Sequence, residues 1–309
     1  MPLLLIISFI GFAIVQATGD PLAAYTVDSS LTAEDIARLR QHYGLDRPIP
    51  IQYLTWLGNM LTGNWGTSYY TRENVFDMVL ERLPNTLLLV GISYSVVLIF
   101  GLALGILSAV RQYSALDHIV TGLSFVGIAI PTFWLGLMLI VVFAVRFKLL
   151  GLPYLPVGGM YDERLGSSVG QVLWHAVLPS TTLAVVITAR YIRYVRSTVI
   201  EQIHLDYIRT ARAKGAREAT VVRGHALRNA LLPVVTIIGL QLGALLGGAV
   251  LTETVFNLAG VGRALFDAIT GRDYAIVQGF TVIIAGGYVL VNLLVDLSYA
   301  WLDPRIRLE

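Results

Sequence analysis

The chain has 309 residues, 56% of them hydrophobic and 14% charged, with a net charge of +2 and a mean hydropathy of +0.70. Soluble domains carry about 25% charged residues, so this composition excludes an ordinary water-soluble fold and places the chain among multi-span helical membrane proteins. There is no cysteine, which excludes disulfides, thiolate metal sites and a cysteine nucleophile.

Leu3 to Gln16 is apolar but short, reaching only about 20 Å against a hydrocarbon core of about 30 Å. A signal peptide would carry a positive start, and the first basic residue here is Arg38. Residues 1–17 are therefore expected to form a first span that starts upstream of Met1. Residues 18–84 are expected to form an extracytoplasmic helical segment. Within it, Thr32 and Asp35 resemble a helix N-cap with an acidic first turn, and Gly44 to Pro48 reads as a stop and turn. Ile51 to Leu61 predicts a second short helix, and Val75, Met78, Val79 and Arg82 share one face of a third. Tyr53, Trp56, Trp65, Tyr69 and Tyr70 suit a membrane interface, with a plain packed connector as an equal reading.

Residues 85–301 are expected to hold five further spans: Thr86 to Val110, Ile119 to Val145, Val172 to Ala189, Asn229 to Phe256 and Ala275 to Trp301. Pro131 falls inside the second of these. It removes a backbone donor, so a hinge, gate or pathway role stands beside simple packing. Nine basic residues lie between Arg190 and Arg228. The positive-inside rule makes the 190–228 loop cytoplasmic; six spans then leave both termini, including the 302–309 tail, inside.

Reactive constellations are scarce. The two lysines, Lys148 and Lys214, lie outside any Gly-Lys-Ser/Thr loop, and the five histidines lie apart without metal-ligand spacing. If ATP drives this protein, another chain hydrolyses it. Glu253 and Asp296 are the span carboxylates. Such groups are functional candidates by default, and Glu253 stands equally as a pathway or gate residue and as a solvated or paired one. Gly239, Gly243 and Gly247 recur every four residues on one face, with Gly248 beside them. That predicts a close helix–helix interface, with a subunit interface as one form of it.

Asp206 to Gly215 can form a short helix in the basic loop, with small Ala211 and Ala213 and Gly215 suited to the left-handed position after its end. Arg209, Arg212, Lys214 and Arg217 stud it. A solvated loop that only sets topology or holds anionic lipid is the alternative; the small residues favour docking of a partner protein.

At this loop, RTARAKGA followed by HALRNALLP resembles the "EAA" motif of permease subunits of bacterial ABC importers, in particular the dipeptide/oligopeptide and nickel branch. The resemblance extends through LDRPIPIQYLTWLGNMLTGNWGTSY, LERLPNTLLL, AIPTFWLG, GGAVLTETVFNLAGVGR and DLSYAWLDPRIR. Gly215 matches the motif's glycine, Ala211 its second alanine and Pro233 its closing proline. Arg209 and Thr210 stand at its first two positions, without the motif's acidic residue. The resemblance implies an all-α polytopic protein of the type I ABC importer permease fold. It implies no catalysis and no cofactor in this chain, with ATP and magnesium bound by partner ATPases. The implied partners are a second homologous permease, two cytoplasmic ATPases, an extracytoplasmic binding protein, a peptide cargo and membrane lipid, with no nucleic acid. The implied place is the cytoplasmic membrane of a bacterium or archaeon. Tyr207, Ala211, Arg212, Ala213, Lys214 and Gly215 would form the ATPase-coupling surface. A nickel or glutathione importer of the same family remains open as to cargo, and a stand-alone secondary carrier, an intramembrane enzyme and a receptor or scaffold remain open as classes.

Overall fold

Helices longer than a bilayer is thick dominate the computed structural model, which describes residues 2–17, 32–42, 44–247 and 249–302. The first is α1 (Pro2–Ala17). Two short outer helices follow, α2 (Ala33–His42) and α3 (Ile49–Leu61). The Thr32 hydroxyl accepts from the Asp35 amide at 3.2 Å while Asp35 Oδ2 accepts from the Thr32 amide at 3.0 Å, a reciprocal cap that starts α2. Gly44 takes φ +66° in the turn that follows. Among the described residues no strand forms; one antiparallel bridge joins Thr67 to Asn74.

The long elements are α4 (Val75–Val110), α6 (Thr132–Leu149), α7 (Val169–Ile203), α9 (Leu227–Leu246, with a π-helical lead-in Val221–Ala226) and α12 (Tyr274–Leu302). Five helices are long and apolar enough to cross a membrane; α1 and α5 (Ala115–Ala129) are shorter apolar helices. Small helices α8 (Asp206–Ala213), α10 (Val250–Val255) and α11 (Val261–Gly271) complete the set.

Four boundaries differ from the sequence expectation. The third outer helix and the second span are one continuous α4 that carries Pro84 inside it. The span around Pro131 is not a kinked rod: α5 stops at Ala129, Ile130 and Pro131 are extended, and α6 restarts at Thr132. The helix of the fourth span runs past Ala189 to Ile203, so Arg190, Arg193 and Arg196 are helical rather than loop. The fifth span ends at Leu246, and Glu253 belongs to the separate α10; Gly247 offers no side chain to hold the helix on. Gly248, residues 18–31 and the 303–309 tail lie outside the described residues.

The largest core joins α4, α6 and α7 through Leu89, Tyr94, Val97, Ile140, Ala144, Leu183, Ile187 and Tyr191. Glycine notches allow the close approach: a Cβ on Gly105 would lie 2.8 Å from Val195 Cβ, and one on Gly127 would lie 2.8 Å from Ala189 Cβ. A second cluster packs Val75, Met78 and Val79 of α4 against α11 and α12 through Val261, Ala264 and Phe280. Outside these cores, Ile99, Phe100, Leu123, Phe133 and Leu294 are exposed, as suits a surface whose solvent is lipid. The outer helix α3 rests on α1: Tyr53 is buried, its hydroxyl lies 2.8 Å from Ser8 Oγ, and its ring meets Phe9 and Phe12 edge-on.

Candidate functional site

The basic loop folds around one apolar side chain. Ile208 is fully buried and packs with Val221 and Ala226, the first and last residues of the α9 lead-in, with Ile203, Ala211 and Ala216 around them. This anchor holds α8 between the end of α7 and the beginning of α9. Asp206 places negative charge in the first turn and Arg212 positive charge in the last, both favourable to the helix dipole. The helix closes with the Ala216 amide donating to the Ala211 carbonyl (3.3 Å) and the Gly215 amide to the Arg212 carbonyl (2.9 Å). That is the double bond pattern of a Schellman end, and Gly215 takes the left-handed φ of +79° it requires.

The six candidate coupling residues divide by direction. Ala213, Lys214 and Gly215 are exposed, whereas Ala211 turns half-buried toward Ile208. Tyr207 is a strut: its hydroxyl donates to Gln202 Oε1 at 2.7 Å and accepts from Asn229 Nδ2 at 3.1 Å, tying α7 to α9. Arg212 donates from Nε and Nη2 to both oxygens of Glu218 at 3.0 and 2.7 Å. The guanidinium holds the Glu218 carboxyl below its usual range, and the carboxylate raises Arg212 in turn. The result is an outward surface of small and basic groups on a helix fixed from behind.

An ion pair between a buried carboxylate and a half-buried guanidinium stands beside this loop. Asp117 of α5 is 2% exposed. Arg196 of α7 donates to it from Nε (2.7 Å) and Nη2 (2.8 Å), the Ser108 hydroxyl of α4 donates to Oδ1, the Thr121 hydroxyl donates at 3.3 Å, and the Tyr113 amide donates to Oδ2 at 2.9 Å. Nearby, the Arg193 guanidinium lies 4.5 Å from the centre of the Phe125 ring.

The other candidates fall elsewhere. Gly239, Gly243 and Gly247 face the chain's own α12: a Cβ on Gly239 would collide with Val295, one on Gly243 would lie 2.7 Å from Tyr288 Cδ2, and one on Gly247 3.4 Å from Ile284 Cγ2. The close packing expected of them is therefore made within the chain. Pro131 forms the N-cap of α6, and the carbonyls of Gly127 through Ile130 receive no hydrogen bond from the described residues. Non-helical backbone at membrane depth is tolerated where it is packed in protein or lines a cavity. Glu253 is fully buried: Oε1 accepts from the Thr86 hydroxyl and Oε2 from the Arg263 amide, each at 2.8 Å, and the Thr86 hydroxyl accepts from the Val261 amide at 2.8 Å. The carboxylate thus lies at the first turn of α11 and joins it to α10 and α4.

Ile208, Asp117, Arg196 and two notch glycines, Gly105 and Gly101, where a Cβ would lie 3.1 Å from Tyr191 Cβ, were not singled out in the sequence. The four-residue spacing of those glycines was a usable signal. The pairing of Asp117 with Arg196 carried none, because the two lie 79 residues apart on separate helices.

Comparison with known proteins agrees with this architecture. The family model described as "Binding-protein-dependent transport system inner membrane component" matches residues 101–308, and the corresponding N-terminal model matches residues 1–90. The oligopeptide transport system permease protein AppB of Bacillus subtilis is 41% identical, over 99% of this chain and 96% of its own length. The dipeptide transport system permease protein DppB of Escherichia coli K12 is 38% identical, over 99% of this chain and 96% of its own length. Among solved structures, a chain from the crystal structure of an amino acid ABC transporter with histidines superposes with a TM-score of 0.52 at 15% identity, covering 75% of this chain and 95% of that one, a likeness of fold. With two family models spanning most of its length and relatives near 40% identity from end to end, the chain belongs to the binding-protein-dependent transport system inner membrane components.

Proposed function

We propose that this chain is a membrane-spanning, non-catalytic permease subunit of an ATP-driven peptide importer. The observation that carries the reading is α8: a short helix pinned by Ile208, with Ala213, Lys214 and Gly215 exposed among the basic side chains of the loop. The relatives named for oligopeptide and dipeptide transport support a peptide cargo. In this reading a second homologous permease completes the translocation path, and two cytoplasmic ATPases bind ATP and magnesium and dock on α8. An extracytoplasmic binding protein delivers the cargo. The chain crosses a bacterial or archaeal cytoplasmic membrane six times, with α5 and α6 together making one passage, and keeps both termini in the cytoplasm. The break at Ile130–Pro131 lines the path or faces the second permease, which would cover its free carbonyls.

Two measurements test this. The purified chain should show no ATP hydrolysis, while the complex with its ATPases should hydrolyse ATP, faster with loaded binding protein, and import peptide into proteoliposomes. Specific hydrolysis by this chain alone, or import without ATPases, would sink it; the latter would favour a secondary carrier. For orientation, Thr220→Cys should resist an impermeant maleimide in intact cells and Tyr161→Cys should react. Both sites are exposed, and there is no native cysteine to interfere.

A further inference from the structure

The Asp117 carboxylate does two jobs at once. It holds the α4–α5 turn, where Tyr113 takes φ +63°, a conformation that costs a residue with a Cβ. Through Arg196 it also ties that turn to α7. A buried ion pair is a weak source of net stability compared with apolar packing, and its best-attested use is to fix one arrangement among several.

Its position gives that arrangement a purpose. From Arg196, α7 continues through buried Val199 to Ile203, which packs against Ile208 of α8. From Asp117, α5 runs the other way along α7, past the Gly127–Ala189 contact, to the break at Ile130–Pro131. Of the two legs that carry α8, the α7 leg is thus joined to α4 and α5 by oriented hydrogen bonds, beyond apolar contact alone.

We propose that Asp117 and Arg196 are positioning residues for energy coupling: they lock the cytoplasmic half of α7 to the α4–α5 turn, so that displacement of α8 reaches α5 and the Pro131 break. This rests on the importer reading above. The pair fits the task because the bidentate fork resists rotation as well as separation, and because removing Arg196 leaves the buried Asp117 carboxylate without its counter-charge.

The test uses the full complex in proteoliposomes with its binding protein. Spin labels are placed at His118→Cys on α5 and Glu201→Cys on α7, both exposed positions. With Asp117 and Arg196 intact, the label distance is the same in the ATP-free and ATP-trapped states. In Asp117→Asn, which keeps the shape and removes the charge, that distance shifts or broadens on trapping. ATP hydrolysis continues, and peptide imported per ATP falls about tenfold, within the range produced by mutations along a coupling route. Arg196→Lys keeps the charge and loses the fork, and falls between the two; it carries the comparison if Asp117→Asn does not assemble. An unchanged distance and unchanged import per ATP in both variants overturn the proposal, as does a label distance that changes on trapping with the pair intact. Failure of the unsubstituted complex to import peptide on ATP would strike the importer reading instead, and the distance comparison would still judge the joint.

Discussion

Thr86 and Glu253 lie 167 residues apart in sequence and share a buried hydrogen bond of 2.8 Å. The same carboxylate accepts from the Arg263 amide, so α4, α10 and α11 converge on one side chain. Gly260 leaves room for it, since a Cβ there would lie 2.5 Å from Glu253 Oε1.

Glu253→Ala should therefore destabilise the purified chain by about 2–3 kcal/mol, because the Thr86 hydroxyl and the Arg263 amide lose their acceptor. A melt in detergent should fall by roughly 5 °C or more, and Gly260→Ala should move the same way. An unchanged melt with lost transport would instead give Glu253 a pathway or gate role.

Gly243 should matter before any partner arrives. Gly243→Leu places bulk against Tyr288 of the same chain, and overpacking of this kind costs about 1–3 kcal/mol or more. The chain expressed alone should lose its monodisperse peak on size exclusion. A well-behaved variant chain that fails only to pair with the second permease would put this face at the subunit interface.

Ala213 and Ala211 separate docking from loop folding. Ala213→Glu points outward and should abolish cargo-stimulated ATP hydrolysis while the loop keeps its resistance to trypsin. Ala211→Glu pushes a charge toward Ile208, where desolvation is costly, and should expose the loop to trypsin as well. Gly215→Val should act like Ala211→Glu, because a β-branched residue at φ +79° costs about 1–2 kcal/mol. Wild-type transport and hydrolysis in Ala213→Glu would leave the loop as a topology signal only.

The Arg212–Glu218 pair should make loop protection pH-dependent. The folded carboxyl titrates below its unfolded value, so the pair contributes fully above the ordinary glutamate range and is lost as pH falls through the depressed value. Both side chains are partly exposed, so the contribution is at most about 1 kcal/mol and salt screens it. Loop hydrogen exchange at low and neutral pH should show this difference, and Glu218→Gln should erase it.

The features legible in the sequence were those carried by neighbours along the chain. Apolar runs marked the long helices, Thr32 and Asp35 marked the start of α2, and Gly215 marked the end of α8. The break at Pro131 was legible as a weakness, but its depth was not, because a proline can either bend a helix or stop it. Arg190, Arg193 and Arg196 read as loop because charge signals water, yet a helix that leaves a bilayer need not end there. Arg196 opposite Asp117, Thr86 opposite Glu253 and α12 opposite the glycine face come from distant segments, and one sequence holds no record of which helices meet.

Ile208 has a consequence for how such a protein can change. Its loop is closed by its own apolar plug, by the Tyr207 strut, by the left-handed turn at Gly215 and by the Arg212–Glu218 pair, while the outward side chains of Ala213 and Lys214 take no part in that closure. The contact face can thus be rewritten residue by residue to suit a different motor without retuning the membrane bundle, and a graft bounded at Gln202 and Asn229 would carry its fold with it.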